Sequence, residues 1–141
     1  MRIWHKSFIS VLPKEQLVAQ WRELSAIAGN IIDKGNPNHI LVNKVMNYPF
    51  NHFISYAYYV RKEMTNRGYK TMNKVWDKIV SISDSDYNIL SLEEIFPNWH
   101  NDRYFIQCFY NLEEKYDCGG IDKEDWDKIM ALVEKENYYV L

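Results

Sequence analysis

Cysteine is scarce in this chain: of 141 residues only Cys108 and Cys118 carry a thiol, ten positions apart and outside any C-x-x-C spacing. That argues against a disulfide framework or a cysteine zinc site and reads as reduced thiols of the cytosol. No apolar run approaches the ~20 residues that span a bilayer. Residues 1–20 place Arg2, His5, Lys6, Lys14 and Glu15 where a signal peptide would be apolar. A soluble, cytoplasmic protein without a leader is the expectation. Also missing are G-x-G-x-x-G, a P-loop, H-E-x-x-H and G-x-S-x-G, which argues against Walker-type nucleotide hydrolysis, zincin chemistry and the serine-hydrolase elbow. His5, His39, His52 and His100 stand far apart without ligand spacing, so no metal or cofactor is expected. His39 differs from the rest in following a Gly/Asn/Pro loop, where the lip of an active site can sit.

With 47% hydrophobic and 26% charged residues, the chain has enough apolar mass for one domain over 1–141 and too little length for two. The net charge of −2 is unevenly placed. Residues 1–80 hold 12 Lys and Arg against 5 Asp and Glu, a net of +7, whereas residues 81–141 hold 5 against 14, a net of −9. A local positive field is what captures phosphates, so the first half is a candidate polyanion surface; the alternative is two halves that simply solvate different faces of one fold.

Leu17, Trp21, Leu24, Ala28 and Ile31 recur at helical spacing behind Pro13, which predicts a helix over 13–28 with Gly29-Asn30 as its stop. Asp33 to Asn38 reads as a loop, followed by a polar connection to about 47. Pro49 opens a second helix that runs to Arg67-Gly68. A shorter helix is expected over 71–81. Ser91-Leu92-Glu93-Glu94 has capping-box spacing before Pro97. Two further helices follow, over 101–117 and from Asp122 through Val133. No alternating strand pattern exceeds four residues, and the favoured class is all-α. The rings of Phe50, Phe53, Trp76 and Phe109 fall on core stripes, whereas Tyr58, Tyr59, Tyr138 and Tyr139 lie off them and are candidate contact surfaces.

Within the first helix, Glu23 has Ala19 at i−4 and Ile27 at i+4, so it lacks the intrahelical cation that would make it a routine surface ion pair. It lies either at the rim of the core or in a cleft. A cleft carboxylate in a basic half invites a functional reading. An α-amine is intrinsically about two pK units less basic than a lysine amine, which makes the N-terminus a candidate nucleophile.

These residues also carry a resemblance. Met1-Arg2-Ile3, then Leu12, Leu17, Ala19 and Arg22-Glu23-Leu24, with Arg67-Gly68-Tyr69 and Leu112-Glu113-Glu114-Lys115 further on, resemble the pyrimidine-dimer DNA glycosylase/AP-lyase family typified by the phage endonuclease V enzymes. The resemblance implies a compact all-α domain with its N-terminal segment threaded between helices. It also implies an enzyme that excises cyclobutane pyrimidine dimers. In that scheme the α-amine attacks the glycosylic carbon, forms a Schiff base and resolves it by β-elimination, while a helix glutamate stabilises charge on the sugar and aids proton transfer.

Carried over, Met1 supplies the amine, Glu23 the carboxylate and Arg22 the catalytic neighbour. Arg2, Arg22, Lys14, Lys34, His39 and Arg67 are the expected DNA contacts. The bulky Arg2 implies that Met1 is retained. The partner is damaged double-stranded DNA, with no membrane and a monomeric protein. The family's further helix arginine falls on Ala26, and an acidic helix ending Glu136-Asn137-Tyr138-Tyr139 stands where the phage enzymes have a basic aromatic tail. A non-catalytic nucleic-acid-binding or interaction domain of the same fold is the alternative.

Overall fold

The computed structural model describes residues 1–136, which leaves Tyr138 and Tyr139 outside the described residues. The described chain is all-helical: α1 (Lys14–Lys34), α2 (Phe50–Asn66), α3 (Asn73–Val80), α4 (Asp102–Asp117) and α5 (Lys123–Lys135), with short 3-10 segments at Lys6–Val11, Asn43–Asn47 and Leu92–Glu94. None of these helices is long and apolar enough to cross a membrane.

Local chemistry explains most boundaries. Pro49 precedes α2, and the helix closes with the Gly68 amide on the Thr65 carbonyl at 3.0 Å and the Tyr69 amide on the Met64 carbonyl at 2.8 Å, with Gly68 at φ +85°. That is the paired-bond termination for which glycine is suited. Asn101 and Asp122 cap α4 and α5 by accepting from the amides of Tyr104 and Asp125, each at 2.9 Å. Glu94 accepts from the Ser91 amide and hydroxyl at 3.2 and 2.7 Å.

α1 outruns its expected end. It continues through Gly29-Asn30 to Lys34 and stops at Gly35, φ +80°, whose amide bonds to the Ile31 carbonyl at 2.9 Å. Gly29 serves packing instead: a Cβ there would lie 3.0 Å from Lys78 Nζ, which reaches across from α3 to donate to Ser25 Oγ at 3.3 Å. α1 thereby meets α3 closely along one side while also packing on α2.

Tyr56, Phe8, Phe53, Phe96, Phe105 and Phe109 are the largest fully buried side chains, so Phe53 and Phe109 sit in the core as expected. Phe50 and Trp76 are only half-buried. Trp76 lies on the two-turn α3 under the Arg61 guanidinium, 5.7 Å from its ring centroid. Tyr58 is exposed, whereas the Tyr59 hydroxyl donates to the Leu90 carbonyl at 2.8 Å.

The segment before α1 shows no helical periodicity in sequence, yet Ile3, Trp4, His5, Phe8, Ile9 and Leu12 are all buried.

Candidate active site

Burial of residues 3–6 requires partners for their backbone groups, and these come from three helices. From α1, Gln20 Nε2 donates to the Arg2 carbonyl and Gln20 Oε1 accepts the Trp4 amide, both at 2.8 Å. From α2, the Tyr56 hydroxyl donates to the Trp4 carbonyl at 2.6 Å. From α4, Tyr104 donates to the Ile3 carbonyl, and Cys108 Sγ accepts the His5 amide at 3.4 Å. Burial pushes the Tyr56 and Tyr104 hydroxyls and the Cys108 thiol up from their ordinary ranges, and Arg2 opposes it at Tyr104 and Cys108. These groups stay neutral near pH 7 and act as fixed hydrogen-bonding partners.

Two imidazoles complete the anchor. His5 and His100 stack with centroids 5.0 Å apart. His5 Nδ1 accepts from the Ser7 amide at 3.1 Å, so its proton sits on Nε2 and goes to the His100 carbonyl at 3.0 Å. His100 Nδ1 accepts from the Lys6 amide at 2.9 Å. Burial lowers His5 to about 4 and holds His100 well below its usual value. Lys6 points the other way, donating to the Glu93 and Ile95 carbonyls at 2.8 and 2.6 Å.

This anchoring delivers the start of the chain to an open cleft of about 310 Å³, whose walls include Met1, Arg2, Glu23, Gln16, Leu41 and Lys115. The Arg2 amide donates to Glu23 Oε2 at 3.3 Å. Covalent geometry separates successive backbone nitrogens by at most about 3.7 Å, so the Met1 nitrogen lies within about 7 Å of that oxygen. Arg2 folds its guanidinium over Trp4, 5.5 Å from the ring centroid. Gln16 contributes a buried Oε1 with no hydrogen-bond partner among the described residues.

The remaining sequence candidates are not gathered there. Arg22 is exposed on α1 next to Glu23 but is not part of the cleft wall. Lys14 and Arg67 share a different cleft of about 490 Å³. In it Lys14 sits 5.2 Å over the Tyr69 ring, and Arg67 bonds to Glu63 Oε2, the Leu12 carbonyl and the Ser10 carbonyl at 2.9, 2.7 and 3.1 Å. Lys34 is exposed at the end of α1, and His39 is half-buried in the following turn. Among the described residues no group of three or more His, Cys, Asp or Glu could hold a metal ion.

Sequence reasoning missed Gln16, Gln20, Asn111 and Lys115. Gln20 left a signal, a polar residue beside Trp21 on the apolar stripe. Asn111 and Lys115 are one helical turn apart on α4, a spacing that names a shared face and not what the face meets.

No curated protein and no solved structure matches the chain. A family model described as pyrimidine dimer DNA glycosylase matches residues 1–77, the stretch that carries Met1, Arg2, Glu23 and the Gln20 anchor. With more than half of its length matched, this all-helical chain belongs to the pyrimidine dimer DNA glycosylase family.

Proposed function

We propose that the cleft is the active site of a DNA glycosylase with AP-lyase activity that uses the Met1 α-amine as nucleophile. The observation that carries this reading is the 3.3 Å bond from the Arg2 amide to Glu23 Oε2, which ties the carboxylate to the residue next to the amine. The amine adds to C1′ of the damaged nucleotide as the bond from C1′ to the base nitrogen breaks. Loss of the amine proton and opening of the sugar then give the iminium. Glu23 carries the negative charge that stabilises the cationic sugar and is placed to relay protons. β-Elimination removes a proton from C2′ and expels the 3′-phosphate.

Arg2 flanks the reacting centre in this scheme, and Arg22, beside Glu23 on α1 but outside the cleft wall, acts on the phosphate backbone. Lys14, Lys34, His39 and Arg67 supply further phosphate contacts, and Lys115 adds a cation from α4. The net +7 of residues 1–80 supports a polyanion partner. Cyclobutane pyrimidine dimers are the proposed lesion.

Borohydride trapping tests the chemistry. The protein with a free Met1, confirmed by mass spectrometry, should form a covalent adduct with abasic and dimer-containing duplexes. A protein extended or acetylated at Met1 should not. An extended protein that traps equally well sinks the α-amine assignment. Binding that is steeply salt-dependent but gives no adduct favours a non-catalytic DNA-binding domain.

A further inference from the structure

The loop after α1 presents apolar side chains to water beside the cleft. Ile40 is 85% exposed and Leu41 50% exposed, and Leu41 is also part of the cleft wall with Met1 and Glu23. The turn that carries them is held on both sides. Asn30 Nδ2 donates to the Pro37 carbonyl at 2.9 Å, the His39 amide to Asn43 Oδ1 at 3.1 Å, and the Leu41 amide to His39 Nδ1 at 3.3 Å. The His39 carbonyl accepts the amides of Val42 and Asn43 at 3.0 and 2.9 Å. Pro37 and Val42 are buried, so the turn is fastened to the core while Ile40 points away from it. In sequence the turn lies between Lys34 and Lys44, with no Asp or Glu between them.

We propose that Ile40 and Leu41 form an apolar wedge that enters the base stack of duplex DNA beside the lesion and fills the space left by the extruded nucleotide. This rests on the proposed function of the cleft. An enzyme that attacks C1′ under a stacked base must open the stack, and aliphatic side chains driven between base steps stabilise the opened form. The turn is already ordered by its own hydrogen bonds, so inserting it costs little further conformational freedom. Continuity of Leu41 with the wall around Met1 and Glu23 puts the opened step next to the nucleophile. Lys34 and Lys44 flank the turn in sequence and are placed to meet phosphates on either side of the opened step. The wedge therefore acts on base-paired DNA and contributes nothing to the chemistry on an unpaired strand.

The test uses Ile40→Ser with Ile40→Leu as the conservative rescue. One readout is the rate of borohydride-trapped adduct on a dimer-containing duplex, in which the lesion is still stacked, against the same strand alone. The other is the fluorescence of 2-aminopurine beside the lesion in duplex, which rises when stacking is lost. Ile40→Ser should lower the duplex-to-single-strand rate ratio at least tenfold and abolish the fluorescence rise, and Ile40→Leu should restore both. An unchanged ratio with a wild-type fluorescence rise overturns the wedge, while adduct on the single strand still upholds the Met1 chemistry. If the wild-type protein traps neither substrate, the Met1 reading fails on its own. The wedge then stands if the fluorescence rise depends on an apolar residue at 40, and falls if it does not.

Discussion

The Gln20 side chain brackets Ile3, donating to the Arg2 carbonyl and accepting the Trp4 amide, each at 2.8 Å. One amide thus satisfies a buried and a half-buried backbone group of a segment that has no regular partner strand. Gln20→Leu leaves both unpaired, at a cost of about 2–4 kcal/mol. Urea denaturation should show that loss, and the adduct rate at saturating abasic DNA should fall in the surviving folded fraction because Met1 is no longer held. Full stability with a slow adduct rate would mean that Gln20 takes part in the chemistry directly.

Glu23 makes a weaker structural contribution. It is half-buried and its hydrogen bond to the Arg2 amide is long, at 3.3 Å. Glu23→Gln keeps an acceptor for that amide and should shift unfolding free energy by less than about 1 kcal/mol. It removes the carboxylate charge, and single-turnover β-elimination should slow by at least about 100-fold. A variant that turns over normally refutes the proposed role of Glu23.

Arg22 and Arg67 should separate charge from architecture. Arg22 is exposed, so Arg22→Ala should leave the melting temperature nearly unchanged and reduce the slope of log affinity against log salt by about one. Arg67→Lys keeps its charge but loses the fork that joins Glu63 to the Ser10 and Leu12 carbonyls. Thermal melts should show it destabilised by about 1–2 kcal/mol, with its salt slope preserved. A salt slope in Arg22→Ala unchanged from wild type would remove Arg22 from the DNA contacts.

The stacked imidazoles predict acid sensitivity. Unfolded histidine takes up its proton near pH 6.5, whereas in the fold burial keeps His5 neutral down to about 4 and holds His100 well below its usual value. Between those values the unfolded state binds more protons, so the stability these groups contribute is complete above about pH 6.5 and declines as pH falls toward 4. For His5 alone the loss is on the order of 3 kcal/mol by pH 4. Melts between pH 7 and 5, above most carboxylate titration, should show stability dropping by about 2 kcal/mol per pH unit at the acid end. Constant stability over that range would contradict the buried neutral pair.

The helices were legible wherever one face is apolar and a cap or a proline marks the end. α2 was read from Pro49 to Gly68, and α5 from its Asp122 cap. The end of α1 is not legible locally because Gly29 looks like punctuation and is explained only by Lys78 of α3, 49 positions later. The first twelve residues were opaque for a related reason. Their burial follows no period of 3.6 or 2, since each is fixed by a different element, and the stacking of His5 on His100 joins positions 95 apart. The motif alone points to Met1, Glu23 and Arg22. That Met1 and Glu23 share one cleft while Lys14 and Arg67 share another depends on packing, which no local spacing encodes.

The anchoring of residues 2–6 also bears on where the family signature can function. The family match ends at residue 77, yet the carbonyl of Ile3 and the amide of His5 are held by Tyr104 and Cys108, and Lys115 completes the cleft wall. A fragment cut after the matched stretch would keep every catalytic candidate and the Gln20 and Tyr56 anchors, and lose the α4 groups that hold Ile3 and His5. Docking of α4 is therefore a condition for assembling the site, and the unmatched C-terminal part of the chain is as necessary to the proposed reaction as the motif itself.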